Sequence, residues 1–159
     1  MATSFTVPGL SADAGAKVVA ILQGRLAAYN DLQLTLKHAH WNVVGPNFIG
    51  VHEMIDPQVD LVRGYADEAA ERIAALGGEP LGTVASITSP IAYPLNRGTA
   101  LAHLAALDKV YSQVIADNRA AIDALDDLDL VTQDIVIGAT AELEKFQWFV
   151  RAHLENAGA

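Results

Sequence analysis

The 159-residue chain is long enough to bury one core, too short for several domains, and free of cysteine. Disulfides and thiolate metal sites are therefore excluded, so any metal must be held by His, Asp or Glu. A net charge of −9, from 10 basic and 19 acidic residues, argues against general affinity for nucleic acid and suits cations as ligands. Hydrophobic residues make up 52%, which points to surface hidden in an oligomer. The uncharged runs are broken by Gly, Pro or polar residues and make no membrane span, and "MATSFTVPGL" has neither the basic start nor the apolar core of a secretion signal. A cytoplasmic protein that avoids membranes is expected.

Four long helical patterns follow in order. The first runs from about Ser11, a plausible N-cap, to Val43, with Leu22, Leu26, Tyr29, Leu36 and Val43 on one face. Gly45 and Pro46 stop it. The second runs from about Phe48 to Leu76, with Asn47 as a possible cap and a kink expected at Pro57. Residues 77–98 are rich in Gly, Pro, Ser and Thr, with room for one short helix. The third helix covers about Thr99 to Leu125 and the fourth about Asp129 to Asn156. Their short connection predicts antiparallel packing. Two hairpins joined by one long crossover make an all-α, ferritin-like four-helix bundle, a single domain over residues 1–159. No strand pattern is visible.

The second helix carries the chemistry. His52 and Asp56 are four residues apart, as are Asp67 and Glu71, so all four side chains share roughly one stripe with Asp60 and Arg63 nearby. Such a stripe is too polar to face its own core, although a solvated face with charge pairs would also look like this. Asp56 and Asp67 lie about 16 Å apart along the axis at ~1.5 Å per residue, so one chain cannot close both pairs on one metal. Two chains with antiparallel second helices can, and a two-fold axis would make two equivalent sites. His40 could join from the end of the first helix. His38 points elsewhere, and His103 and His153 have no carboxylate pattern around them.

These residues resemble a known family. "HWNVVGPNFIGVHEMID", followed by "DEAAER", looks like the signature of the Dps mini-ferritins, the DNA-binding proteins from starved cells. The matching positions are His40, Trp41, Asn42, Gly45, Phe48, His52, Asp56, Asp67 and Glu71, and "LEKFQWFVRAHLE" resembles the family's last helix. The resemblance implies a hollow homo-dodecamer with a di-iron ferroxidase centre at each dimer interface. Ferrous iron would be oxidised by hydrogen peroxide and stored as ferric mineral, protecting the cell from oxidative damage. His40, His52 and Asp56 would come from one subunit and Asp67 and Glu71 from its partner. Trp41 would lie beside the centre, in a redox or a packing role. Carboxylates and imidazoles suit both iron states.

From Arg119 to Lys145 there is no intervening Lys or Arg, while the interval holds Asp123, Asp126, Asp127, Asp129, Asp134, Glu142 and Glu144. Acids near Asp129 suit the positive end of the fourth helix. The resemblance implies negatively charged three-fold pores here, with Asp129 and Asp134 as candidates; a third expected acid falls at Gly138, which departs from the pattern. The first ten residues carry no Lys or Arg, and only Arg151 and His153 lie near the end of the fourth helix, so weak DNA binding is expected. Two other functions fit parts of the pattern: nucleoid compaction, and a hydrolase in which a bound metal activates water.

Overall fold

The structure, a computed structural model, describes residues 5–155. Four helices account for most of it: α1 (Ala12–Asn42), α2 (Phe48–Ala75), α3 (Ala100–Leu125) and α4 (Leu130–Leu154). Each helix buries a stripe that its sequence spacing supplies. On α1 the stripe is Val18, Leu22, Leu26, Tyr29, Leu32, Leu36 and Ala39; on α2 it is Val51, Ile55, Val62, Ala66, Ala69 and Ile73. The leucines of α1 are at most 2% exposed along this stripe, and each such burial stabilises the fold by about 1.5–3 kcal/mol. α1 packs along α2, and α3 along α4.

The helix ends follow local chemistry. Ser11 caps α1 by accepting the Ala14 N–H at 3.2 Å, and Thr99 caps α3 by accepting that of Ala102 at 3.3 Å. Asn47 precedes α2 as expected but does not cap it with its side chain: it sits in the left-handed region at φ 64°, following Gly45 at φ 87°. Two consecutive reversals of this kind turn the chain within a few residues. α2 runs undivided through Pro57, whose missing N–H costs one hydrogen bond without ending the helix. It ends at a glycine pair, where Gly77 takes φ 79° and the Gly78 N–H reaches the Ile73 carbonyl at 2.9 Å.

The crossover between α2 and α3 lies strapped to α1. The Gln23 amide exchanges hydrogen bonds with the Leu81 backbone at 2.8 and 2.9 Å. Asn30 donates to the Gly82 carbonyl at 3.3 Å, and Asp31 accepts the Ile91 N–H. The one short helix in this segment is a 3₁₀ turn at Val84–Ser86. One feature departs from the sequence expectation of no strands. A two-residue parallel pair, β1 (Val43–Val44) with β2 (Gly98–Thr99), ties the end of α1 to the start of α3. Two residues carry no alternating pattern, so periodicity could not reveal it.

Candidate metal centre

The Gly45 reversal folds the start of α2 back against the end of α1. That places His40 and His52 ring on ring, with centroids 3.6 Å apart and planes 23° apart. Each ring uses Nδ1 on the other residue's backbone carbonyl: His40 Nδ1 to His52 O, and His52 Nδ1 to His40 O, both at 2.9 Å. A ring nitrogen facing a carbonyl must carry a proton, so in the neutral form of each ring Nε2 is the nitrogen with the lone pair. This is how a metal-binding imidazole is oriented, with one nitrogen fixed by a carbonyl and the other left to coordinate. The Phe48 ring packs against His52 at 5.0 Å and completes the wall.

Asp56 stands one turn beyond His52. Its Oδ1 lies 3.2 Å from His40 Nδ1 and 2.5 Å from Lys37 Nζ. Lys37 is one turn before His40 on α1, and sequence reasoning missed it. The signal was available: a lysine three residues ahead of a candidate ligand shares its helix face. The hydrogen-bonded Lys37 ammonium holds the Asp56 carboxyl below the usual carboxylate range, with smaller help from the two histidines. A cation at this carboxylate is thus already part of the design, in the form of an ammonium.

Asp67 and Glu71 are exposed, one turn apart on α2, and neither pairs with another described side chain. Two grooves connect them to the histidine end. One, of about 370 Å³, is lined by Gln33, Lys37, Trp41, Asp56, Asp60 and Arg63, with Leu34 and Val59. The other, of about 610 Å³, shares Gln33, Asp60 and Arg63 and extends past Asp67 to Ala70. Together they form one recess along the α1/α2 face. Apolar side chains stand exposed on these two helices, including Trp41 at 69%, Leu34 at 52% and Leu61 at 41%. Among the described residues of one chain, no three His, Asp or Glu side chains converge as a metal cage. His40, His52 and Asp56 are brought together; Asp67 and Glu71 are not brought to them.

The remaining candidates separate cleanly. His38 bonds through Nε2 to the Leu95 carbonyl at 2.8 Å, and His153 bonds its own helix at the Phe149 carbonyl. His103 is fully buried and takes up a tyrosine. Asp129 precedes α4 with its carboxylate nearly buried, 2.7 Å from Arg72 and also accepting from the Thr132 hydroxyl. Burial works against its ionisation, yet Thr132 and Arg72 outweigh that and hold its carboxyl low. Asp134 and Gly138 are exposed on α4.

Comparison with known proteins places this geometry. The ferritin-like domain family matches residues 19–158. The DNA protection during starvation protein of Mycolicibacterium smegmatis is 64% identical, over 98% of this chain and 87% of that protein. The solved Mycobacterium smegmatis Dps superposes with a TM-score of 0.94, covering 99% of this chain and 91% of the other. DpsA14 from Streptomyces coelicolor gives 0.94 at 53% identity, covering 100% and 96%. Dps from Microbacterium arborescens, solved in a high iron form, gives 0.86 at 35% identity, covering 93% and 100%. A bundle with this recess, matched across nearly its whole length, leaves one assignment: the chain belongs to the ferritin-like family, in its Dps branch.

Proposed function

We propose that this iron-storage mini-ferritin oxidises Fe(II) at a centre completed by two subunits, with hydrogen peroxide as the preferred oxidant. The observation that carries the reading is the reciprocal histidine pair. It fixes both rings through Nδ1 and leaves their Nε2 atoms unengaged, with the Asp56 carboxylate 3.2 Å from the His40 ring. At the other end of the same recess lies Asp67, with Glu71 one turn further along α2, both exposed and with no described partner. Antiparallel apposition of two such recesses sets the His40, His52 and Asp56 of one subunit against the acids of the other. The exposed apolar side chains along the recess supply area for that contact.

Fe(II) arrives as substrate. It takes the Nε2 atoms, and Asp56 releases Lys37 to bind it; the partner's acids neutralise the rest of its charge. Two Fe(II) ions give one electron each to hydrogen peroxide, which takes two protons and leaves as two waters. Pairing the electrons avoids hydroxyl radical. Asp67 and Glu71 then hold the harder Fe(III) before it passes to mineral. Trp41, in the groove beside Asp56, packs over the centre or donates an electron to it. Residues 1–159 act as one domain in a cytoplasmic dodecamer, and Asp134 faces a cation-entry pore. Asp129 serves there chiefly as the ion-pair partner of Arg72.

The decisive experiment changes both His52 and Asp56 to Ala. Peroxide-driven Fe(III) formation should slow by about 100-fold or more while the shell still assembles, since two of the five proposed ligands are removed. Unchanged kinetics in an intact shell would sink the assignment. DNA binding should be weak, because 10 basic residues are scattered among 19 acids. A gel shift in about 0.1 M salt with chelator, where the Debye length is ~10 Å, should show no plasmid complex. A stable complex would favour nucleoid compaction instead.

A further inference from the structure

Where the crossover meets α3 lies a second cluster that the iron chemistry described above does not use. Tyr93, from the crossover, hydrogen-bonds through its hydroxyl to His103 Nδ1 at 2.7 Å. The two rings lie nearly parallel, 6.0 Å apart. His103 is fully buried on α3, and its Nε2 has no well-directed hydrogen-bond partner among the described residues. Gly98 packs against that nitrogen so tightly that a Cβ there would sit 3.3 Å away. A buried ring nitrogen without a well-directed partner is costly, so its retention calls for a reason.

The cluster shares the end of α1 with the metal centre. The Tyr93 ring meets His38 edge-on at 5.8 Å, and His38 precedes His40 by two residues, about 3 Å along the helix axis. Tyr93 and His38 line a groove that shares Leu34 with the Trp41 and Asp56 groove. The β1–β2 pair holds the Asn42 end of α1 against the loop carrying Asn96, and the carbonyls of both asparagines favour a protonated His103 ring.

We propose that Tyr93 and His103 form a proton-coupled electron relay that supplies the missing electron when the centre holds a single Fe(II). The inference rests on the ferroxidase reading. Peroxide needs two electrons. One Fe(II) gives the first and becomes Fe(III). Tyr93 gives the second and becomes a neutral phenoxyl radical, as its hydroxyl proton moves to His103 Nδ1. Peroxide takes two protons from solvent and leaves as two waters. A later Fe(II) returns one electron to Tyr93, His103 returns the proton, and a second Fe(III) results. The products equal those of the two-iron reaction, and no hydroxyl radical forms.

The chemistry of the pair suits this work. A phenol oxidised without losing its proton would leave a cation radical in a poorly solvated place. Burial raises the Tyr93 pKa, so the proton leaves only toward a positioned base. Burial also keeps His103 neutral at rest, with Nδ1 free to accept. The Asn42 and Asn96 carbonyls then stabilise the imidazolium that forms. No described residue accepts a hydrogen bond from the more exposed Trp41, so it lacks such a base.

The test loads the full-length protein with one Fe(II) per site, mixes it with peroxide and freezes it within milliseconds. Electron paramagnetic resonance then looks for a tyrosyl doublet, while absorbance reports Fe(III) in the same samples. The doublet should appear in the wild type and vanish in Tyr93→Phe, which removes only a hydroxyl. In His103→Gln its hyperfine pattern should change or its yield should drop. Spin-trapped hydroxyl radical at this loading should rise several-fold in Tyr93→Phe. A tyrosyl signal that survives Tyr93→Phe, or Fe(III) formation in the wild type with no tyrosyl signal, overturns the relay and leaves the ferroxidase reading standing. No fast Fe(III) formation in the wild type overturns that reading as well.

Discussion

The two ends of α2 carry similar residue types and live in different circumstances. At the start, His52 and Asp56 are held by groups from α1: a backbone carbonyl, a stacked imidazole and the Lys37 ammonium. Near the end, Asp67 and Glu71 project without a described partner. The first set is preorganised by its own chain and pays its ordering cost during folding. On the proposed reading the second would gain its partners only from a bound cation or a second subunit. One half of such a site would then be preorganised by its own chain and the other half would wait for assembly.

Subunit mixing tests that asymmetry most severely. Shells made wholly of His52→Ala, or wholly of Glu71→Ala, should each lose most of their iron oxidation. Co-assembled in equal amounts, they should regain about a quarter of the sites, because half of the dimers are mixed and each mixed dimer has one unblemished centre. Stopped-flow absorbance on proven mixed shells measures this. No recovery would mean that the two ends of α2 never meet across subunits.

Lys37 offers a smaller perturbation at the preorganised end. Lys37→Met keeps the length of the side chain and removes the cation that competes for Asp56. Fe(II) affinity, read by anaerobic titration calorimetry, should rise several-fold. The Asp56 carboxyl should also titrate closer to its ordinary range, since its main depressing partner is gone. Equal affinity would mean that Lys37 does not stand where the iron goes.

The least effect is expected away from the recess. Asp129 has a depressed folded-state pKa, so its contribution to stability is complete above its ordinary value near 3.8. That contribution is lost as pH falls through the lower, folded value. Asp129→Asn should therefore cost about 1.5–3 kcal/mol at neutral pH, the scale of a charged hydrogen bond, and should flatten the acid limb below pH 4. Thermal unfolding of the variant against pH checks both. Iron oxidation at the centre should remain unaffected, which separates the α4 end from the recess.

The helices were legible because each has a strong period and a recognisable stop. Ser11, Gly45 and the Gly77–Gly78 pair all work as their chemistry predicts. The nearness of His40, His52 and Asp56 was legible from helix spacing plus one tight turn. Lys37 and the Tyr93–His103 pair were not. Lys37 reads as a surface charge until its partner's position is known. Tyr93 sits in an aperiodic segment, and its distance from His103 depends on how the crossover lies on α1, which no local pattern encodes. The same holds for Arg72 and Asp129, joined across 57 positions of sequence.

The crossover has a consequence for a chain that has been cut. A long irregular connection is ordinarily where a protease begins, and a nick there can let two halves of a protein drift apart. In this molecule the segment is fastened on both sides of its middle. Leu81 and Gly82 are bonded to Gln23 and Asn30; Ile91 and Leu95 are bonded to Asp31 and His38. A single cleavage between residues 83 and 90 would leave each new end anchored to α1. The two fragments would migrate separately in denaturant and travel together in buffer, still one particle with its α1/α2 recess undisturbed.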